Sequence, residues 1–348
     1  MRESLYVNGE CVHADNLAAW QAGKTGLAAE LGDFLAEWYA PAPTMLLQTS
    51  GSTGTPKLMQ ASKDAMRASA RMTCDYFGLM PGKKALLCLP LRYIAGKMMV
   101  VRALVSGCEL ILAEPSSSPL AKLSEIIDFA PLVPMQMAHT LKMPNGAEQL
   151  ARVRHILLGG GFVDASLTEA LQHLPSHVYA SYGMTETLSH IALRHVNGKY
   201  SSEWYTPLQG VTVKLSVDDT LEITAPHIGV QHLTTNDLTE IAEDGRFRIL
   251  GRRDSVINSG GVKIQAEEVE QALTAATGLT LLVLPAPHPE LGECVTLLWE
   301  GAPEAEAALQ AAISTLPPYH RPRIIRNVPQ IPRTDTGKLS RKAAAQLL

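Results

Sequence analysis

The chain has 348 residues, 46% of them hydrophobic, so it is long enough for two domains and carries ample material for a core. Thirty basic against 34 acidic residues leave a formal net charge of −4, which gives no general electrostatic reason to bind nucleic acid or an anionic membrane. Five cysteines, Cys11, Cys74, Cys88, Cys108 and Cys294, show no CxxC pair and no disulfide spacing, a pattern expected of reduced, packed thiols in a cytoplasmic protein.

The first residues, MRESLYVNGE, lack an apolar stretch of signal-peptide length. The most apolar region, 85–113, is interrupted by Arg92, Lys97 and Arg102, so neither secretion nor membrane insertion is expected. From Thr44 to Gly183, short apolar runs such as ALLCLPL, CELILAE and RHILLGG alternate with amphipathic ones such as SKDAMRASARMTCDYF, PLAKLSEIIDFA and DASLTEALQHL. That alternation predicts crossover units and a parallel-rich sheet with helices. Between Ser189 and Leu250, the runs VTVKLSV, LEITA and FRIL, separated by Asp218-Asp219 and Asp244-Gly245, predict a small β subdomain. A third texture follows: VINSGGVKI with a Ser-Gly-Gly turn, a helix over AEEVEQALTAAT, strands in LTLLVLPAP and CVTLLW, and a helix in EAEAALQAAISTL. The expected fold class is α/β, with a large domain over 1–253 and a small α+β domain over 254–348. By composition alone the basic tail, 332–348, reads as a solvated, frayed terminus, the usual fate of such segments.

Several short stretches carry chemistry. QTSGSTGTPK, at 48–57, follows the apolar Met45-Leu46-Leu47, and a loop of this kind can turn amides and hydroxyls toward an anion. It is not a Walker A loop, because Pro56 and Leu58 occupy positions that need Gly and Ser or Thr. By composition alone a flexible loop is the better reading. Gly159-Gly160-Gly161 is not a dinucleotide fingerprint, since Asp164 stands at the last glycine position. SYGMTET, at 181–187, offers the Tyr182 ring for a base and the Glu186 carboxylate for magnesium, a hard cation that takes oxygen ligands. Asn236-Asp237 and ILGRRD place one acid and two arginines where loops leave strands, suited to ribose hydroxyls. TDTGKLSRK sets Lys338 on a Gly-marked turn, as a mobile point charge for a phosphate. His173 and His177 have a metal-like spacing, but Pro175 between them disfavours one helical face; surface histidines and no zinc are expected.

In this order, over about Leu46 to Lys342, the motifs resemble those of the adenylate-forming superfamily of acyl-CoA synthetases, nonribosomal adenylation domains and luciferases. TSGSTGTPK is similar to its phosphate loop, SYGMTET to its adenine and magnesium motif, and TTND to its ribose motif, with Asn236 in place of the usual Gly. ILGRRDSVINSGGVKIQAEEVE is similar to the segment spanning its interdomain hinge, and PRTDTGKLSRK to the segment bearing its catalytic lysine.

The resemblance implies a two-step reaction, in which a carboxylate attacks the α-phosphorus of MgATP and a thiol, that of CoA, then attacks the acyl-adenylate and releases AMP. It implies that Thr49, Ser50, Gly51, Ser52, Thr53, Gly54 and Lys57 hold the β- and γ-phosphates, with Gly160, Ser181, Tyr182, Gly183 and Met184 completing the nucleotide site. Glu186 would bind magnesium, Thr185 the α-phosphate, Tyr182 the adenine, and Asp237 and Arg252 the ribose. Lys338 would bridge the α-phosphate and the substrate carboxylate. Asp254 would be the hinge about which a mobile C-terminal domain turns, bringing Ser259, Gly260 and Gly261 to the thiol tunnel.

Three departures stand out. Only 48 residues precede Thr49, so a shortened N-terminal part is expected; Tyr93 replaces the usual histidine of the aromatic gate; and the Gly-Glu-Leu motif is reduced to residues 219–223. LPLRYIAGKMMVVRAL and SYGMTETLSHIALR most resemble the o-succinylbenzoate:CoA ligase branch of menaquinone synthesis. Its substrate is an aromatic dicarboxylate, whose second carboxylate needs polar or cationic partners. Lys97, Arg102 and Ser189 are candidates for that contact, with Tyr93, Gly159, Gly161 and Met184 around the acid and His190 either near it or purely structural. Delivery of the acid to a carrier protein is the competing enzymatic reading. A noncatalytic nucleotide-binding relic is the other, against which the intact Glu186, Asp237 and Lys338 argue.

Overall fold

The structure, a computed structural model, describes residues 3–48, 58–334 and 337–348. Strands β1 (Leu5–Val7) and β2 (Glu10–Val12) and helices α1 (Leu17–Gln21) and α2 (Gly26–Tyr39) precede a hairpin of β3 (Thr44–Gln48) and β4 (Leu58–Ser62). Helix α3 (Lys63–Phe77) begins where the Ser62 hydroxyl accepts from the amides of Asp64 and Ala65, which have no partner inside the helix. There follow β5 (Lys84–Leu87), α4 (Ile94–Ser106), β6 (Glu109–Leu112), β7 (Ile127–Leu132), α5 (Pro134–Leu141) and α6 (Gly146–Ala151). Then come β8 (Val153–Leu158), α7 (Ala165–Leu171), β9 (His177–Gly183), β10 (His190–His195) and β11 (Thr206–Pro207).

These strands build a nine-stranded sheet in the order β11-β10-β9-β8-β7-β5-β6-β1-β2. Neighbours from β9 to β1 are parallel, and the outer pairs β1–β2, β9–β10 and β10–β11 are antiparallel. Both faces are covered, so successive residues such as Leu86 and Leu87 are fully buried in different cores. One core joins the sheet to α2, α3 and α4, and the other to α5 and α7.

Local pattern is overridden in two places. The amphipathic PLAKLSEIIDFA does not form a helix: its end enters β7, where Ile127 and Phe129 are buried between β5 and β8. Strand β10, expected in the β subdomain, joins the main sheet because Ile191, Ala192 and Leu193 are buried in succession, as an element covered on both faces requires.

The β subdomain is a four-stranded antiparallel sheet of β12 (Thr212–Leu215), β13 (Thr220–Ala225), β14 (Val230–Ile241) and β15 (Phe247–Arg252). The remaining residues form β16 (Val256–Ser259), β17 (Val262–Gln265), α8 (Ala266–Thr277), β18 (Thr280–His288), β19 (Gly292–Glu300), α9 (Glu306–Thr315), β20 (Ile324–Asn327) and α10 (Arg341–Ala344). Their sheet runs β17-β16-β19-β18, with β20 parallel to β19, over a separate core that includes Val269, Leu297 and Trp299. The tail departs from the expected frayed end: Ala344 is fully buried with Leu282, Leu298 and Ile331, and Arg341 is held by two carboxylates.

Cys74, Cys88, Cys108 and Cys294 are buried, whereas Cys11 is exposed, contrary to the expectation that all five pack. Among the described residues, no helix is long and apolar enough to cross a membrane. Lys63 is a buried lysine whose Nζ donates to the carbonyls of Glu37, Trp38 and Ala40 at 3.0, 2.8 and 2.7 Å. It thus satisfies carbonyls that the end of α2 leaves unpaired. Lys63→Met keeps the apolar stem but removes the charged donors, so a loss of about 2–3 kcal/mol in stability is expected. Urea unfolding checks it; an unchanged midpoint would show that water replaces the ammonium without cost.

Candidate active site

The C-terminal end of β9 is the centre of the site. Thr187 knits the turn that follows: the Met184 amide donates to its hydroxyl at 3.0 Å, and that hydroxyl donates to the carbonyl of Ser189 at 2.7 Å. Gly183 permits β10 to approach, since a Cβ there would stand 2.4 Å from the Ser189 carbonyl oxygen. Leu188 adopts φ +62°, a strained conformation for a branched side chain, and so turns the backbone toward Ser189. Ser181 donates to the Leu158 carbonyl at 3.0 Å, tying β9 to the strand that leads into Gly159, Gly160 and Gly161. Gly159 faces the Ser181 hydroxyl, and Gly160 and Gly161 lie against Val133 and Pro134, where α5 starts.

Tyr182 meets the β subdomain. Its hydroxyl donates to Asp237 at 2.6 Å, and its ring lies edge-on to Phe247 at 5.3 Å. Burial and the Asp237 charge both push the phenol's pKa upward. Asp237 is not where a loop leaves a strand, as its sequence surroundings suggest; it lies within β14, opposite Arg252 at the end of β15. Arg252 Nη1 donates to Asp237 at 3.3 Å, while Nε and Nη2 grip Asp254 at 2.8 and 2.9 Å. Arg252 is therefore forked between the acid expected at the ribose and the residue expected at the hinge. The Asp254 bond holds the guanidinium's pKa up, and Arg252 in turn holds the Asp254 carboxyl below its ordinary range.

Lys338 comes to the same place from the other end of the chain. Its backbone carbonyl accepts from the Thr334 amide at 2.7 Å, and Gly337, at φ +82°, makes the turn that a side chain would strain. A Cβ at Gly337 would stand 3.8 Å from Met135 on α5. The Lys338 side chain is open to solvent but crowded by protein, which lowers its pKa; Arg252 lowers it further, and Asp237 opposes both. Gly260 and Gly261 lie in the β16–β17 turn, where Gly260 faces Leu291 and Tyr319 of its own unit.

Behind the β9 turn lies a buried polar cluster. Arg102, on α4, is 2% exposed; its Nη2 donates to the Ser189 hydroxyl, and its Nε has no hydrogen-bond partner among the described residues. Burial pulls its pKa down to about 10, and no carboxylate is salt-bridged to it among the described residues. His190 contacts Ser189 through Nδ1 at 3.3 Å and Thr73 through Nε2 at 3.2 Å. Burial and then Arg102 push His190 well below its ordinary pKa, so it is neutral at pH 7. Lys97 does not join this cluster, because its Nζ lies 5.8 Å from the Phe34 ring on α2. Tyr93 caps the start of α4 under the Arg92 guanidinium.

Glu186 is exposed beside the nearly buried Thr185, and its carboxylate has no partner among the described residues. Those residues include no group of three or more His, Cys, Asp or Glu placed to hold a metal. A single exposed carboxylate of this kind fits magnesium that arrives with nucleotide phosphates. Thr49, Ser50, Gly51, Ser52, Thr53, Gly54 and Lys57 lie outside the described residues; the flanking Gln48 and Leu58 are paired across the β3–β4 hairpin. Sequence reasoning missed Thr73 and Met135, since nothing local separates a polar residue on α3 or a Met on α5 from ordinary helix positions.

A family model described as AMP-binding enzyme matches residues 11–229. The 2-succinylbenzoate–CoA ligase of Haemophilus influenzae is 28% identical over 275 residues, covering 74% of this chain and 59% of the relative, so the chain spans well under two thirds of that relative's length. An acyl-CoA synthetase (AMP-forming)/AMP-acid ligase II-like protein from Dyadobacter fermentans is 35% identical, with a TM-score of 0.64, over 95% of this chain and 97% of that one. The Bacillus subtilis o-succinylbenzoate coenzyme A synthetase, solved with ATP and magnesium, shares the fold at a TM-score of 0.70, with 23% identity over 86% of this chain and 69% of its own.

Proposed function

Since the chain belongs to the AMP-binding enzyme family, we propose that it is an ATP-dependent acid:CoA ligase whose acid is an aromatic dicarboxylate, 2-succinylbenzoate. The carboxylate of the acid attacks the α-phosphorus, pyrophosphate leaves, and the CoA thiol then displaces AMP from the acyl carbon. Lys338, within electrostatic reach of Asp237 and Arg252, is the cation that meets the charge developing between carboxylate and phosphate. Asp237 and Arg252 take the ribose, and Asp254 acts as the hinge by exchanging its grip on Arg252 when the last unit turns. Glu186 would hold magnesium, which supplies charge neutralisation on the phosphates when bound.

The observation that carries the substrate reading is Arg102. A guanidinium buried without a carboxylate is costly, and a second substrate carboxylate is the partner that would offset this cost. The unpaired Nε and the Ser189 hydroxyl supply the donors. Arg102→Met is expected to raise KM for 2-succinylbenzoate by about 10- to 100-fold, the worth of a charged hydrogen bond, and to leave a monocarboxylate analogue little affected. Following AMP and thioester with MgATP, CoA and a panel of acids checks it. Brisk turnover of another acid with none of 2-succinylbenzoate would overturn the substrate, and an unchanged KM in the variant would overturn the role of Arg102.

A further inference from the structure

The N-terminal ends of β8 and β9 carry a second cluster that the proposed reaction does not use. Parallel register sets His155 beside His177, and the antiparallel pairing of β9 with β10 sets Tyr179 beside His195. The His155 and His177 rings stack at 5.4 Å, and Tyr179 and His195 lie 4.2 Å apart. Tyr76, near the end of α3, meets Tyr179 edge-on at 5.8 Å, and Tyr200 extends the cluster beyond His195 at 5.7 Å. Together with Trp204 these rings line a crevice of about 430 Å³, within the range of small-molecule sites.

Charge in the crevice has one sign. Arg194 and Arg246 line it, and no aspartate or glutamate does among the described residues. Arg194 is steadied over the Tyr205 ring and by the Ser202 carbonyl, and Arg246 by Asp244 at the rim. His155 Nδ1 is buried there with no hydrogen-bond partner among the described residues. Burial, reinforced by His177, keeps His155 and His195 below the ordinary imidazole pKa, so at neutral pH these rings present π faces and single N–H donors. The stacked imidazoles do not converge as ligands of one metal ion, and none of the described residues forms such a group.

Position separates the crevice from the catalytic end. His177 begins β9 and Tyr182 stands five residues further on, a strand length of about 16 Å. Ligands of the main reaction gather at the carboxyl ends of parallel strands, and this crevice opens at the opposite ends.

We propose that this crevice is a second ligand site that takes a planar aromatic carboxylate, its ring among the imidazole and phenol rings and its carboxylate toward the two arginines. A bare anion would leave the ring surfaces unused, and a neutral aromatic would make no use of the two guanidinium charges. The test is calorimetric titration of the full chain with 2-naphthoate as probe, in which the share of binding that belongs to the crevice is the share that substitutions lining it remove. One equivalent should bind with a dissociation constant of about 0.1–1 mM, as suits a ligand of this size. His177→Ala or Arg246→Gln, both at exposed positions, should each weaken binding by about tenfold, and 2-naphthol should bind about tenfold more weakly than 2-naphthoate. His177→Ala alone should leave MgATP-dependent AMP formation unchanged, which checks that the chain is folded. Absent binding, binding that neither rim substitution weakens, equal binding of 2-naphthol, or equal competition by inorganic phosphate would each overturn the proposal. These titrations do not depend on turnover, so failure of the acid panel leaves their outcome intact.

Discussion

Lys338→Ala is expected to slow adenylate formation by about 10²- to 10³-fold, the effect of removing one preorganised donor aimed at developing charge. Gly337 makes the turn that carries Lys338, with Met135 opposite, and the ammonium lies within electrostatic reach of Asp237 and Arg252. Its pKa also makes a prediction about pH. Crowding by protein and then Arg252 favour the neutral amine, and Asp237 favours the cation, leaving the pKa below the ordinary 10.5. If the cation is the active form, the rate falls as pH rises through that lowered pKa, so the alkaline limb begins below that of free lysine. Asp237→Asn removes the opposing charge and should move the limb lower still. Single-turnover pyrophosphate release, followed against pH, reads both effects. Adenylate formation at the parent rate in Lys338→Ala would remove the residue from the reaction.

The second large effect concerns what holds Lys338 in place. Three residues beyond it, Arg341 donates to both oxygens of Glu270 at 2.7 and 2.9 Å and to Glu267 at 3.0 Å. Burial opposes charge on the guanidinium, but Glu270 and Glu267 outweigh it and raise the Arg341 pKa; burial also raises that of Glu270, against the pull of Arg341. Arg341→Met leaves two neighbouring carboxylates without their cation. The expected loss is about 2–4 kcal/mol, somewhat below that of a fully buried pair because the side chains keep partial contact with water. Thermal unfolding should show a lower transition for the unit built on β16–β19, and adenylation should fall with it as the Lys338 hairpin loses its anchor. Unchanged melting with full activity would show that the apolar contacts of Ala344 anchor the tail without Arg341.

The alternation of strand and helix was legible in the chain because each strand of a doubly covered sheet needs a continuous apolar run and each helix a one-sided one. The α8 helix over AEEVEQALTAAT and the β18 and β19 strands follow their local patterns closely. PLAKLSEIIDFA and β10 do not, because pairing and burial on both sides outweigh a short periodic signal. Within the site, the chemical types of Tyr182, Asp237, Arg252 and Lys338 were readable from their motifs, but their shared hydrogen bonds and electrostatic reach were not.

Residue type and local spacing are enough to set the order and chemistry of the motifs and the class of fold that carries them. Long-range packing is what buries Arg102 beside Ser189 while Lys97 turns to Phe34, anchors the tail through Arg341, and gathers His155, His177 and His195 at one sheet end. Those outcomes arise from burial and cross-strand register between residues far apart in the chain, and local spacing carries no record of either.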